Sequence, residues 1–150
     1  MIVSGNEKEN KMKRPRVYIA SKMSGIPAFN FPAFDAMRVR LTAMGFDVVS
    51  PADIDREHGF DGTTWMIQHL QWDWNEIPEH LDYEEIMKRD FEAIKTCDAV
   101  VMFGPWTYSY GAVREKANAE EQNIPVIDLN LPDGEEKIVR MVKPNDRIIL

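Results

Sequence analysis

A hydroxyl, a glycine and a carboxylate stand close together in Gly104-Pro105-Trp106-Thr107-Tyr108-Ser109-Tyr110-Gly111-Ala112-Val113-Arg114-Glu115. The run follows Ala99-Val100-Val101-Met102-Phe103, an apolar stretch with the character of a strand, and opens a helix that starts near Gly111. A strand-to-helix junction presents free backbone N–H groups and favours an anion. Glu115 lies one turn further in and can project over the same crevice. A second carboxylate, Asp90, falls four residues after Ile86 and four before Ile94, inside the apolar stripe of its own predicted helix. It is open to two readings. Desolvated at the edge of a pocket, it would have a raised pKa and a proton-donating role; otherwise it caps or pairs with a nearby Arg or Lys. Glu115, between Arg114 and Lys116, has a bland alternative too, that of a solvated surface charge. Placed together at strand ends, two carboxylates suit the cleavage of a bond to an anomeric carbon. One attacks or stabilises the oxocarbenium-like carbon, and the other handles the leaving-group proton.

Other chemistries lack their signatures. There is no Gly-x-x-x-x-Gly-Lys-Ser/Thr loop, no Gly-x-Gly-x-x-Gly after the first strand and no Gly-x-Ser-x-Gly elbow. His58, His69 and His80 are widely spaced without cysteine partners, so neither a metal nor another cofactor is expected. A net charge of −7 disfavours binding to nucleic-acid polymers, whose affinity comes largely from phosphate neutralisation. A phosphorylated monomer needs only a few local donors and stays possible. No apolar stretch is long enough for a membrane span. Residues 1–14 read as a polar, lysine-rich, flexible lead-in without a signal region. The single cysteine, Cys97, excludes an internal disulfide, suits a reducing cytoplasm and reads as a small core residue.

The elements that must position these residues follow from pattern. With 150 residues, 44% of them hydrophobic, the chain suits one domain, here residues 15–150. Arg16 to Ala20 reads as the first strand, with a loop from Ser21 to Pro27. Asn30 reads as the cap of a helix whose apolar face carries Phe34, Met37, Leu41 and Met44 and which Gly45 stops. Asp47 to Ser50 is a second strand, ended by Pro51. From Ala52 to Asp82 the pattern blurs, with some helix expected around Thr64 to Trp72. Trp65, Trp72 and Trp74 in this stretch form a base-stacking lid, an oligomer contact or the packing of an inserted helix. A helix from Tyr83 to Thr96, the third strand, a helix to about Asn123, a strand from Pro125 to Leu129 and a helix from Glu135 to Val142 complete the pattern, with a short fifth strand at Arg147 to Leu150. Alternating strands and helices predict a single α/β domain, a parallel sheet of four or five strands with helices on both faces, flavodoxin-like or Rossmann-like. Ligands of such sheets bind beyond the carboxyl ends of the strands. Ser21 to Gly25, Asp53 and Ser109 fall there.

The chain resembles the nucleoside 2-deoxyribosyltransferase superfamily, most closely its small single-domain branch. The likeness lies in Tyr18-Ile19-Ala20 with Met23-Ser24-Gly25, in Arg89-Asp90 followed by Cys97-Asp98-Ala99-Val100-Val101, and in Trp106 with Ser109-x-Gly111-Ala112-x-x-Glu115 and Ala119. The Ser-x-Gly-x-x-x-Glu spacing is also similar to that of the 2′-deoxynucleoside 5′-phosphate N-hydrolases. The resemblance implies that Glu115 is a nucleophile attacking C1′ of a deoxyribose, that Asp90 assists departure of the base and that Tyr18 orients the nucleophile. It implies a substrate-binding group of Ser109, Gly111, Ser24, Met23 and Trp106, with Ser109 at a 5′-phosphate; Lys22, which stands where the close branch usually has proline, joins this group as a further candidate. The hydrolases carry an arginine at the position of Ser24, whose charge Lys22 could supply here. It further implies a small-molecule nucleoside or nucleotide as partner and a homo-oligomer, dimer or higher. A non-catalytic nucleotide-binding or sensing module is the alternative on the same fold. Tyr18, Asp90 and Glu115 favour an enzyme, because a pure binder needs no nucleophile.

Overall fold

The computed structural model describes residues 14–143. Residues 1–13 of the expected lead-in, and the expected strand at 147–150, lie outside the described residues. Strands β1 (Arg16–Ala20), β2 (Asp47–Val49), β3 (Ala99–Met102) and β4 (Val126–Asp128) form one parallel sheet in the order β2-β1-β3-β4. Tyr18, in the middle of β1, sits opposite Val49 on one side and Val100 on the other. The helices are α1 (Phe31–Met44), α2 (Pro51–Glu57), α3 (Gly62–Gln68), α4 (Tyr83–Ile94), α5 (Tyr110–Glu121) and α6 (Gly134–Val142). Among the described residues, no helix is long and apolar enough to cross a membrane.

Side chains alternate across a strand, so β1 serves two cores. Val17 and Ile19 pack with Phe34, Leu41, Phe103 and Ile138, on the face covered by α1 and α6. Tyr18 and Ala20 pack with Ile94, Ala112 and Ala119, on the face covered by α4 and α5. The sheet is thus buried on both faces, which is why its strands read as apolar runs. The chain leaves β1 toward β2 and leaves β3 toward β4, in opposite directions, so a crevice opens beyond the ends of β1 and β3.

Two local features differ from the sequence expectation. Asn30 does precede α1, but its side chain does not cap the helix. It is left-handed, with φ 62°, and its amide donates to the carbonyl of Lys22 at 2.8 Å. Ala28 and Phe29 are left-handed as well, at φ 58° and 51°. Non-glycine residues in that region cost about 1 kcal/mol or more each, so the turn must be held from outside. Gly62 lets α3 approach it: a Cβ there would lie 2.3 Å from the carbonyl oxygen of Ala28. The Phe29 ring is held against Phe60 and Trp74, at centroid distances of 5.9 and 4.8 Å.

The second difference is α2. Pro51 does not merely end β2; it starts a helix, with the Ser50 hydroxyl accepting the Ala52 N–H at 3.2 Å. Serine at the cap with proline at the first helical position carried that signal in the sequence. The helix expected over 64–72 is the shorter α3, capped by Asp61, and Trp72 and Trp74 lie in the turns beyond it.

Candidate active site

Tyr18 is fully buried in the sheet, and a phenol there needs a partner. Its hydroxyl donates to Oε2 of Glu115, 97 residues away in the chain. Helix α5 delivers that carboxylate. Ser109 caps it, its Oγ accepting the Ala112 N–H at 3.0 Å. Helical spacing then turns Ala112, Glu115 and Ala119 inward. The two alanines let α5 lie close to the sheet.

Helix α4 delivers Asp90 by the same logic. Asp82 accepts the N–H groups of Glu84 and Glu85, and Met87, Asp90 and Ile94 form the buried face. Arg114 joins the two helices. It donates to both carboxylate oxygens of Glu84 at 3.0 Å and lies over the rings of Tyr83, Phe91 and Tyr110. This pair is near the surface and adds little stability; its effect is to fix how α4 and α5 sit together.

Asp90 and Glu115 open into a cavity of about 380 Å³ at the ends of β1 and β3. Phe29, Phe31 and Phe60 form one wall, and the segment after α3 contributes Asn75, Ile77, Pro78 and Leu81. Four buried polar atoms on the lining residues have no hydrogen-bond partner among the described residues: Ser21 Oγ, Asp55 Oδ1, Tyr83 Oη and Asp90 Oδ1. Buried polar groups are nearly always paired, so this concentration marks a site shaped for a polar ligand.

The acids are strongly perturbed. Burial first, then the charges of Glu115 and Asp55, push the Asp90 carboxyl well above the carboxylate range. Burial raises Glu115 to about 7, while its hydrogen-bonding neighbours Tyr18 and Asp90 hold it lower than burial alone would. Burial raises Asp55 to about 7 against the pull of Arg89, His58 and Arg56. Tyr18 is held protonated by burial and by the acids around it. One carboxyl that keeps its proton beside one that releases it first can offer both a proton donor and a nucleophilic carboxylate in a single site.

These shifts have a consequence for stability. The unfolded chain releases such protons near pH 4, whereas the native fold holds those of Asp55 and Glu115 to about pH 7. In that window the native state binds more protons than the unfolded one. The stability these groups contribute is therefore full at low pH and lost as the pH rises through about 7. For Asp55, the rise from 3.8 to about 7 is worth roughly 4 kcal/mol. Asp55→Asn is expected to unfold at a higher temperature than wild type at pH 8, and not at pH 4. Equal melting curves at pH 8 would show that Asp55 is not desolvated.

Of the residues singled out by sequence, the structure brings Tyr18, Asp90 and Glu115 into contact and places Met23, Ser24, Ser109 and Gly111 in the cavity lining. A Cβ on Gly111 would lie 3.3 Å from Tyr83 Oη, so glycine keeps that corner open. Lys22 and Trp106 do not line the cavity. The Lys22 ammonium donates to the carbonyl of Tyr108 at 3.2 Å, and Trp106 packs against the core beside α5. Asp53 points elsewhere too, pairing with Arg38 and Arg56 at 3.1 and 3.0 Å. Asp55 takes its place: once a helix starts at Pro51, residues 51, 52 and 55 share the buried face. Recognising the Ser50-Pro51 helix start would have found it.

The tryptophans pack rather than face the cavity. Trp65 stacks on His69 at 3.7 Å and meets Trp72 edge-on at 5.2 Å, and Trp65, Trp72 and Trp74 lean on the core. Their segment still builds the far wall through Asn75 to Leu81.

A family described as a domain of unknown function (DUF4406) matches residues 15–128, from the entry into β1 to the end of β4. That span contains Tyr18, Asp55, Asp90 and Glu115 and covers most of the chain. The chain belongs to this DUF4406 family.

Proposed function

We propose that the protein cleaves or transfers at the N-glycosidic bond of a deoxynucleoside or its 5′-monophosphate. The observation that carries this reading is the buried cluster of Tyr18, Asp90 and Glu115 opening into a cavity of about 380 Å³. The Glu115 carboxylate attacks C1′. The bond from C1′ to the base nitrogen breaks, and its electron pair leaves with the base, which takes the Asp90 proton. In the second half-reaction water or a second base attacks C1′, Asp90 takes back a proton, and Glu115 departs as carboxylate. Tyr18 holds the nucleophilic oxygen in line. We take the protein to be a cytoplasmic homo-oligomer. Tyr108 and Tyr110, 80% and 75% exposed on the flank of the site, are surfaces that a second copy would cover.

Incubation with a panel of deoxynucleosides and their 5′-monophosphates, followed by chromatography, is expected to show free base. Binding without base release from any of them would leave the non-catalytic reading. Among the described residues the lining holds three carboxylates and no lysine or arginine, so the uncharged nucleoside is expected to have the higher kcat/KM. Ser109→Ala should then cost about 1 kcal/mol of stability through the lost cap and leave that ratio unchanged. A monophosphate preference erased by Ser109→Ala would instead make Ser109 a phosphate ligand.

A further inference from the structure

Resting on that N-glycosidic reading, we infer that Asp55 recognises the base, accepting a hydrogen bond from its exocyclic amino group, so that amino-bearing bases are preferred over their carbonyl counterparts. Asp55 is the third buried acid of the cavity and the one that the bond-breaking steps do not use. Its Oδ1 is buried without a partner among the described residues. An unpaired acceptor in a buried wall calls for a hydrogen-bond donor from the ligand.

The surroundings select a heterocycle rather than a sugar as the group that meets it. Phe60 follows α2 closely, its N–H donating to the backbone carbonyl of Asp55 at 2.9 Å. The Phe60 ring lies 5.9 Å from Phe29 and 6.0 Å from Phe31, and all three line the cavity. Aromatic rings beside one acid suit a flat ligand with apolar faces and a polar edge. A ribose offers hydroxyls but no such faces. The left-handed turn at Ala28 to Asn30, packed against Gly62, is what brings Phe29 and Phe31 to this wall.

Arg56 and His58 at its own helix and Arg89 on α4 act on Asp55, and Asp55 in turn acts on Asp90 of α4, Glu115 of α5 and Tyr18 of β1. Asp55 titrates near pH 7 in this setting. When ionised it can only accept, and it rejects a carbonyl oxygen; when protonated it can donate to one. Discrimination should therefore sharpen as the pH rises.

The test compares two pairs that differ by amino against carbonyl, deoxyadenosine with deoxyinosine and deoxycytidine with deoxyuridine. Wild type is expected to favour the amino member of the pair it turns over by about ten- to a hundredfold in kcat/KM, increasingly so from pH 6 to 8.5. Asp55→Asn can turn either its oxygen or its nitrogen toward the base. It should bring the ratio near unity and flatten the pH dependence. An unchanged ratio in a folded Asp55→Asn, or no amino preference in wild type, overturns the inference. If no member of the wider panel of deoxynucleosides and 5′-monophosphates releases base, the N-glycosidic reading fails separately. Calorimetric Kd values for the same nucleosides then decide the role of Asp55 by the same ratios, and equal or absent binding counts against it.

Discussion

Glu115→Ala is expected to abolish base release while the protein stays folded. The substitution removes the carboxylate proposed to attack C1′, and loss of a covalent catalyst costs orders of magnitude rather than a factor of two. Its structural cost is smaller. Tyr18 loses its acceptor, at about 1–3 kcal/mol for a buried unpaired hydroxyl, and this is offset in part because a buried acid is removed. Glu115→Gln keeps the volume and an acceptor for Tyr18, and it should be equally inactive. Single-turnover assays for free base, run beside thermal melts, separate chemistry from folding. Near-normal turnover by either folded variant would sink the nucleophile assignment.

Asp90→Asn is expected to slow the reaction by about 10²–10⁴, and most for bases that leave poorly. Asparagine fills the same space on α4 and keeps the site neutral there, so the variant loses a transferable proton and little else. Poor leaving groups need that proton as the bond to C1′ breaks; good ones need it less. Uniform slowing across leaving groups would point to a positioning role. The pH profile carries the same information. The proposed steps require Glu115 without its proton and Asp90 with it, so kcat/KM is expected to rise through about pH 7 and to fall again as Asp90 gives up its proton. Because the two acids interact, both limbs belong to the pair. In Asp90→Asn the falling limb should disappear, while the rising limb stays.

Both predictions depend on positions that local sequence patterns already marked. The strand-to-helix junction before Gly111 marked a helix start in the sequence, and the structure puts its cap at Ser109 and turns Ala112, Glu115 and Ala119 inward. The stripe around Asp90 had the same character, with Met87 and Ile94 beside it. Strand β1 could be read because a sheet buried on both faces needs a continuous apolar run. Gly45 ended α1 as a left-handed glycine does, at φ 112°. Each of these depends on residues within one or two turns of each other, where spacing alone fixes which side chains share a face.

The segment from Ala52 to Asp82 lacks such regularity. Its helices are two turns long, too short for a periodic stripe to emerge, and its chain direction is set by contacts distant in sequence. The turn at Ala28 to Asn30 exists because Gly62 admits its backbone, and neither residue announces the other.

By itself, then, the sequence determined the alternation of strands and helices, the parallel sheet they imply, and the candidacy of Tyr18, Asp90, Ser109 and Glu115. Only the tertiary structure decided that Tyr18 donates to Glu115 across 97 residues, that Asp55 and not Asp53 faces the cavity, and that Lys22 and Trp106 stand aside from it. The physical reason is that caps and periodicities are local properties of the chain, whereas desolvation, and with it the raised pKa values of Asp55, Asp90 and Glu115, arises only when distant elements close over the same space.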